Sequence, residues 1–336
     1  MKMVDLKKTF PQLQNHVVVI GADHHNTLSV VRSLGENNCS FTIIIHTTAK
    51  TINSLRICIS KYNKGRTILV REDEASLISC INSIESNESH MTILFPCSDF
   101  AAYCIDKEYT ILKKKFIVPS FNNSQYSILT MMDKNAQYYF ANAQGLRMAK
   151  TWKITDCNNI TEDIVFPCIL KPTVSAEGRK ADIRVCKKRD ELENAVKNLF
   201  RCGYESLIVQ QYLNKKYEVC GFGYVAPEGN HEGYIVKKLR ETPPPAQGST
   251  LYAQFISESL IKDAVDLVLN KLIQCGYSGL YDIEMIICDD GIYLNEINFR
   301  YSGCGFGCAR GSASIPYRWC LAVAGVNIME LHLPDY

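Results

Sequence analysis

The sequence predicts a chain of mixed class, a parallel-sheet α/β unit at the N-terminus continued by an α+β part built of hairpins and helices. Three observations predict it. Short β-branched apolar runs alternate with helical spacing up to about residue 125. Beyond that point, apolar strands follow one another across short polar turns, as the arms of hairpins do. At 336 residues, with 46% hydrophobic and 21% charged content, the chain can also bury more core than one typical domain needs, so two or three compact units are expected.

The elements follow in order. "HVVVIG" (16–21) is an apolar strand ending in Gly. It leads into "NTLSVVRSLGE", where Leu28, Val31 and Leu34 recur at helical spacing, and then into the strand "SFTIIIH", which completes a β-α-β unit. The strand "MTILFPCSD" and the helix-like "FAAYCIDKEYTILKKKF" extend the alternation. The first turn, "GADHHN", lacks the second and third glycines that let backbone approach a pyrophosphate, which argues against a nicotinamide enzyme. Asp23, His24 and His25 do not make a metal phosphoesterase either, since that chemistry needs more clustered ligands than seven dispersed histidines supply. Asp23 or Asn26 is expected to cap the helix beside surface histidines, with a substrate contact by His24 or His25 left open.

Next, "MMDKNAQYYFANAQGLRMAKTW" has the pattern of an amphipathic helix from about Asp133, closed by Gly145. "FPCILKP" is a strand ending in Lys171 and Pro172, and "TVSAEGRKADIRVC" gives a polar loop with a returning strand. "DELENAVKNLFRCG" is a helix capped by Asp190 and ended by Gly203. "SLIVQQYL", "YEVCGFGYV" and "GYIVKKLR" are strands. "ETPPPAQGST" is irregular because its prolines fix φ and lack donors. "ISESLIKDAVDLVLNKLIQCG" is the longest helical pattern.

Charge and cysteine content narrow the function class. Lys plus Arg (37) nearly balances Asp plus Glu (35), so neither nucleic acid nor a membrane surface is expected as partner. The fifteen cysteines are odd in number and sit singly within apolar runs, which fits reduced thiols rather than a disulfide scaffold. Cys304 and Cys308 in "CGFGC" have no second Cys or His cluster near them for zinc, and no neighbouring His to make either a nucleophile. The N-terminus has no apolar signal region and nowhere do about 18 consecutive apolar residues occur, so a cytoplasmic protein is expected.

Chemistry concentrates in "YDIEMIICDDGIYLNEINFR" (281–300), where Glu284 and Glu296 interrupt runs that read as buried strand. If Asp289-Asp290-Gly291 is a three-residue loop with Gly291 at positive φ, Cys288 pairs with Ile292 and Glu284 faces Glu296. A two-residue loop would instead place Asn295 opposite Glu284. Alternation puts Asp282, Glu284, Glu296, Asn298 and Arg300 on one face. Facing carboxylates repel, so a cation is expected between them. Two carboxylates and one amide carbonyl suit Mg²⁺ or Mn²⁺, and Mg²⁺ held by few carboxylates takes substrate phosphates as companions, which points to ATP. Lys238 and Arg240 share a face opposite Lys237, and Lys238 is a candidate γ-phosphate contact or part of a solvated edge strand. The loop "YSGCGFGCARGSASIP" carries Arg310, and its backbone donors and guanidinium either meet a bound carboxylate or belong to a linker turn.

This hairpin resembles the metal-binding hairpin of the ATP-grasp superfamily. The family pattern of Glu, about a dozen residues, then Glu-x-Asn-x-Arg matches Glu284, Glu296, Asn298 and Arg300. In form the chain is similar to biotin carboxylase and the carbamoyl-phosphate synthase large subunit, and in length to stand-alone carboxylate-amine ligases. The resemblance covers essentially the whole chain. It implies an N-terminal Rossmann-like, pre-ATP-grasp domain (1–125), a small lid lobe (126–212) and a large lobe with the metal site (213–336), with ATP between two antiparallel sheets. It also implies metal ligation by Glu284, Glu296 and Asn298. For ATP it implies phosphate contacts from Lys134, Lys171 and a covering loop with Ser175, Gly178 and Lys180. Adenine would be held by Gln210, Gln211 and Leu213, and ribose by Glu218. Gln210 stands where the family usually has Glu, and its carbonyl can still accept from the adenine amine. Arg300, Lys238 and Arg310 are the expected catalytic residues of a ligase that activates a carboxylate as an acyl phosphate for attack by an amine. A carboxyphosphate-forming enzyme and an ATP-binding module without turnover are the alternatives, and a homodimer is left open.

Overall fold

The computed structural model describes residues 12–48, 55–173, 182–241, 250–308, 314–326 and 328. The N-terminal alternation folds as expected. Strands β1 (Val17–Gly21), β2 (Phe41–His46), β3 (Arg66–Val70), β4 (Thr92–Pro96) and β5 (Phe116–Ile117) form a parallel sheet in the order β3-β2-β1-β4-β5. Helices α1 (His25–Glu36), α2 (Glu74–Asn82) and α3 (Asp99–Lys107) connect them. β1, β2 and β4 are buried along their whole length, as parallel strands covered on both faces must be. The outer strand β3 is half-exposed, so "RTILV" gives a weaker apolar signal than its neighbours.

After the short helix α4 (Tyr109–Leu112), the strand β6 (Ser120–Phe121) and α5 (Ser127–Met131), α6 (Lys134–Ala143) starts at Asp133. The Asp133 carboxylate caps it by accepting from the backbone N–H groups of Asn135 and Ala136 at 2.8 and 2.9 Å. Strands β7 (Thr151–Ile154), β8 (Cys168–Pro172), β9 (Arg184–Cys186) and β10 (Leu207–Gln211) form an antiparallel sheet in the order β7-β10-β8-β9, backed by α7 (Arg189–Arg201). Asp190 does not cap α7. Lys188 is the capping position, and the Glu191 carboxylate instead reaches back to the Lys187 N–H at 2.8 Å.

The third sheet is antiparallel: β13 (Thr250–Ile256), β12 (His231–Glu241), β11 (Tyr217–Val225), β14 (Tyr277–Cys288) and β15 (Gly291–Asn298), with β6 added at the start of β14. Its back face carries α8 (Ser259–Gln274), whose Val265, Val268 and Leu269 share a core with Val219, Ile283, Met285 and Ile297. The helix lies so close that a Cβ at Gly221 would stand 2.8 Å from Val265 Cγ1, so glycine is required there. The chain then returns to the first sheet. α9 (Ile315–Val323) buries Trp319 edge-on against Phe95 at 4.8 Å, and one apolar core joins it to α1, β1, β4, Tyr224 and Leu280. The N-terminal sheet and the third sheet are thereby fixed relative to each other. All fifteen cysteines are free thiols. Among the described residues no helix is long and apolar enough to cross a membrane.

Candidate active site

The hairpin register decides the site, and its turn differs from the expected one. Cys288 pairs with Gly291, so the loop is the two residues Asp289 and Asp290. Two-residue pairing continues to Met285 opposite Leu294, and by itself would carry Asn295 to Glu284. A β-bulge at Asn295 restores the offset, and Glu284 does face Glu296, with Asp282 opposite Asn298. The bulge sits where β15 is also held from outside: Leu294 donates to the Arg147 carbonyl at 2.8 Å. The Arg147 guanidinium grips the turn through the Asp290 carbonyl and carboxylate, both at 2.5 Å. Gly291 at φ 143° would bring a Cβ within 2.5 Å of that guanidinium.

Cross-strand register extends the platform. Cys220 lies opposite Glu284, and Phe222 opposite Asp282, so β11 presents Glu218, Cys220 and Phe222 on the face of the two carboxylates. On β12, Val236 lies opposite Cys220, which puts Lys238 beside Glu218. A line of charge follows. Lys238 Nζ donates to Glu218 Oε2 at 2.9 Å and to Glu284 Oε2 at 3.2 Å, and Lys215 Nζ bridges Glu218 Oε1 at 2.6 Å and Glu241 Oε1 at 3.0 Å. The Lys238 side chain is only 7% exposed. Burial pushes its pKa down, but Glu284 and Glu218 push it up by more, so it stays charged. Lys238 is therefore part of the platform and not a solvated edge residue. The alternation expected for Arg240 fails, since the ladder shifts register on both sides of it and Arg240 is exposed, while Lys237 lies over the Tyr217 ring at 3.8 Å.

The second lysine comes from α6. Lys134, 8% exposed, donates to Glu296 Oε1 at 2.8 Å. Its backbone N–H donates to the Thr173 carbonyl at 3.0 Å, tying the start of α6 to the end of β8 where Lys171 stands. The cation expected between the facing glutamates is thus supplied in part by the chain, one lysine on each. Lys171 points to the same place from the smaller sheet. Burial and the Lys134 charge lower its pKa, partly offset by Glu296, Glu284 and Glu218, to about 8. Two facing carboxylates and the Asn298 amide form an oxygen-only donor set suited to a hard divalent cation. Among the described residues no group of three or more His, Cys, Asp and Glu side chains converges as a metal site.

Arg300 closes the far end. Its Nη1 donates to Asp282 Oδ2, and its Nε lies 3.3 Å from Asp99 Oδ1 at the start of α3. Burial works against its charge, and Asp99, Asp282 and Glu284 outweigh that effect. Asp282 is held in turn by Cys220, whose Sγ donates to Oδ1 at 2.7 Å.

The remaining expected residues divide three ways. Gln210 is buried on β10 and its amide donates to Thr151 Oγ1 at 3.0 Å. Gln211 ends β10, bonding through its N–H to the Lys150 carbonyl, and the Leu213 carbonyl accepts from Lys215 N–H at 2.9 Å. Glu218 lies within the lysine line already described. Ser175, Gly178, Lys180 and Arg310 lie outside the described residues. Asp23 and Asn26 do not cap α1: His24 is the capping position, without a side-chain cap bond. Asp23 instead accepts from the backbone N–H groups of Arg56 and Ile57 at 3.2 Å, and Asn26 donates to the Tyr301 carbonyl at 3.1 Å.

Several site residues are not evident from motif reading. Gln137, 1% exposed, donates to the Ile297 carbonyl and accepts from the Ile297 N–H, both at 2.8 Å, clamping the backbone between Glu296 and Asn298. Its signal was its place one helical turn after Lys134. Asp99 follows the end of an apolar strand, and Lys215 and Glu241 gave no signal. Replacing Gln137 with Met is expected to strand both Ile297 groups and lower stability by about 2 kcal/mol or more. Urea unfolding checks this, an unchanged midpoint arguing against the clamp.

The sequence matches the ATP-grasp domain family over residues 139–312. Over 233 residues it is 22% identical to D-alanine–D-alanine ligase of Geobacillus thermodenitrificans, covering 65% of this chain and 63% of that protein. Over 148 residues it is 28% identical to the formate-dependent phosphoribosylglycinamide formyltransferase of Pectobacterium carotovorum, covering 41% of this chain and 35% of the relative. The chain therefore spans less than two thirds of the length of these relatives. Its fold is similar to that of N5-carboxyaminoimidazole synthetase from Staphylococcus aureus, with TM-score 0.66 at 15% identity over 96% of this chain and 79% of the other. It is also similar to that of L-amino acid ligase from Bacillus licheniformis, with TM-score 0.66 at 14% identity over 93% and 75%.

Proposed function

This chain belongs to the ATP-grasp family, and from that premise we propose that it is an ATP- and Mg²⁺-dependent ligase that activates a carboxylate as an acyl phosphate for attack by an amine. The observation that carries the reading is the pair Glu284 and Glu296, brought face to face by a bulge, with Lys238 on one and Lys134 on the other. Such an arrangement is costly as structure alone, since desolvating these charges offsets much of their attraction. It suits a site where phosphate and a divalent cation exchange partners with the lysines.

Glu284, Glu296 and Asn298 would hold Mg²⁺ or Mn²⁺, the donor set being all oxygen. When bound, the ion supplies neutralisation of phosphate charge. The chain's own residues do the rest by positioning, which is most of what phosphoryl transfer needs from a protein. Lys134 and Lys171 bracket the phosphates from the junction of α6 and β8. Lys238 keeps Glu284 and Glu218 oriented and offers a γ-phosphate contact. Arg300, fixed by Asp282 and Asp99, presents a guanidinium whose fork matches the acyl phosphate. Gln210, Gln211 and Leu213 are assigned to adenine, Glu218 to ribose, Ser175, Gly178 and Lys180 to the phosphate-covering loop, and Arg310 to the acceptor carboxylate. The division into 1–125, 126–212 and 213–336 belongs to the same proposal, supported by the succession of three sheets along the chain. A cytoplasmic setting is supported by the fifteen free thiols.

With Mg²⁺ and ATP, the protein is expected to release ADP only when a suitable carboxylate is present, with hydroxylamine trapping the acyl phosphate as a hydroxamate. A panel of amino acids as carboxylates and amines, read by ADP release and product mass, tests this. ATP binding without turnover across the panel would favour a binding module.

A further inference from the structure

The parallel sheet reverses its strand order at β1 and β4, neighbours from which the chain leaves toward opposite edges. The crevice at the carboxyl ends of such a strand pair is where open α/β sheets bind ligands. Here that crevice opens onto Arg300. Asp99, just after β4, lies 3.3 Å from the Arg300 Nε, and His24 and His25 follow β1. His25 lies against the turn after Arg300, where a Cβ at Gly303 would come 2.5 Å from its Nε2. His24 is engaged, its Nδ1 at 2.8 Å from Asn26 Oδ1. Among the described residues, no hydrogen bond engages either ring nitrogen of His25, and its side chain is exposed at the crevice mouth.

We propose that His25 is the general base of the amide-forming step, taking a proton from the ammonium group of the amine substrate beside Arg300. The inference rests on the ligase reading. In the step, one ammonium proton passes to the imidazole and the freed lone pair forms the C–N bond at the acyl carbon. The bond from that carbon to the phosphate oxygen breaks with its electron pair. The departing phosphate takes the second nitrogen proton as hydrogen phosphate, the third stays on the amide, and the imidazolium returns its proton to solvent.

The charges around the ring fit this timing. Partial burial, His24, Arg300 and Arg56 hold the His25 pKa at about 4, so in the free protein the ring is neutral at pH 7 and only a weak base. Of these groups, Arg300 is the one an acyl phosphate dianion would neutralise. Arrival of the intermediate would raise the basicity of His25 at the moment it is needed.

The test compares two nucleophiles on the carboxylate that gives most hydroxamate in the amino-acid panel. Hydroxylamine is uncharged at neutral pH and needs no proton removed before attack, whereas an amino acid arrives as an ammonium. His25→Gln is expected to lower amide formation with the best panel amine by about 10²-fold or more, and hydroxamate formation by much less. The amide deficit should shrink as pH rises and the amine deprotonates itself. Added imidazole should restore amide formation in His25→Gly. Equal losses with both nucleophiles, no loss with either, or no rescue by imidazole would overturn the role of His25. No carboxylate-dependent ADP release by the unmodified protein would instead overturn the ligase reading beneath it.

Discussion

Glu296→Gln is expected to lower carboxylate-dependent ADP release by about 10²–10³-fold, the loss associated with removing one electrostatic group aimed at a developing charge. The substitution keeps the shape of the side chain and leaves an amide oxygen to accept from Lys134, so the fold should survive. What it removes is the second formal charge of the facing pair. Mn²⁺ binding, followed by electron paramagnetic resonance in the presence of ATP, should weaken in parallel. Turnover and Mn²⁺ affinity both preserved in the variant would show that Glu296 is only a partner for Lys134 and that the cation assignment is wrong.

Lys171→Met is expected to weaken nucleotide binding about 10–100-fold at pH 7, the cost of one charge-assisted hydrogen bond. Its pH dependence is more informative. In the free protein the Lys171 pKa is lowered from 10.5 to about 8, chiefly by burial and by Lys134. The unfolded chain therefore binds more protons than the folded one between those values, and stability rises with pH from about 8 toward 10.5. Below about 8 the charged side chain is a full liability to the fold, which Met relieves. Phosphate has the opposite preference, for the charged form. Nucleotide affinity in the unmodified protein should thus be highest below about pH 8 and fall as pH rises through it, while the variant should be weak and flat over that range. Calorimetric titration with ADP, paired with thermal unfolding, reads both limbs. A variant that binds ADP as tightly, or keeps the falling profile, would remove Lys171 from the phosphate site.

The charged line on the third sheet reads more clearly in three dimensions than in the chain. Glu218, Lys238 and Glu284 are far apart in sequence, yet cross-strand register makes Lys238 a bridge between the two glutamates. Alternation placed Asp282, Glu284, Glu296, Asn298 and Arg300 on one face; the ladder pairs Asp282 with Asn298 and Glu284 with Glu296, and Arg300, beyond the end of β15, reaches Asp282. That pairing stands through two departures that cancel, because the turn is one residue shorter than the Asp-Asp-Gly reading and the bulge at Asn295 returns the residue. Neither departure leaves a mark in hydrophobic periodicity. The turn is gripped by Arg147 and the bulge is flanked by a bond from Leu294 to Arg147, both contacts made by a segment some 140 positions away. Helix caps failed for a related reason. Asp23 and Asp190 are competent caps by residue type, but Asp23 satisfies the distant N–H groups of Arg56 and Ile57, and α7 begins at Arg189 with Lys188 at the capping position, so Asp190 already lies inside the first turn.

By itself the sequence determined the class of fold, the succession of its strongly periodic elements and the likeness to the ATP-grasp family. These depend on local periodicity, on turn residues and on a spaced set of carboxylate, amide and guanidinium groups, all legible along one strand of text. Tertiary structure decided the register that makes Glu284 and Glu296 a pair, the clamp of Gln137 on Ile297, and the approach of Asp99 and His25 to Arg300 from a different sheet. Each of these is set by a contact from a distant segment, Arg147 on the hairpin, α6 on β15 and the N-terminal sheet on the turn after β15, and not by any pattern within the segments themselves.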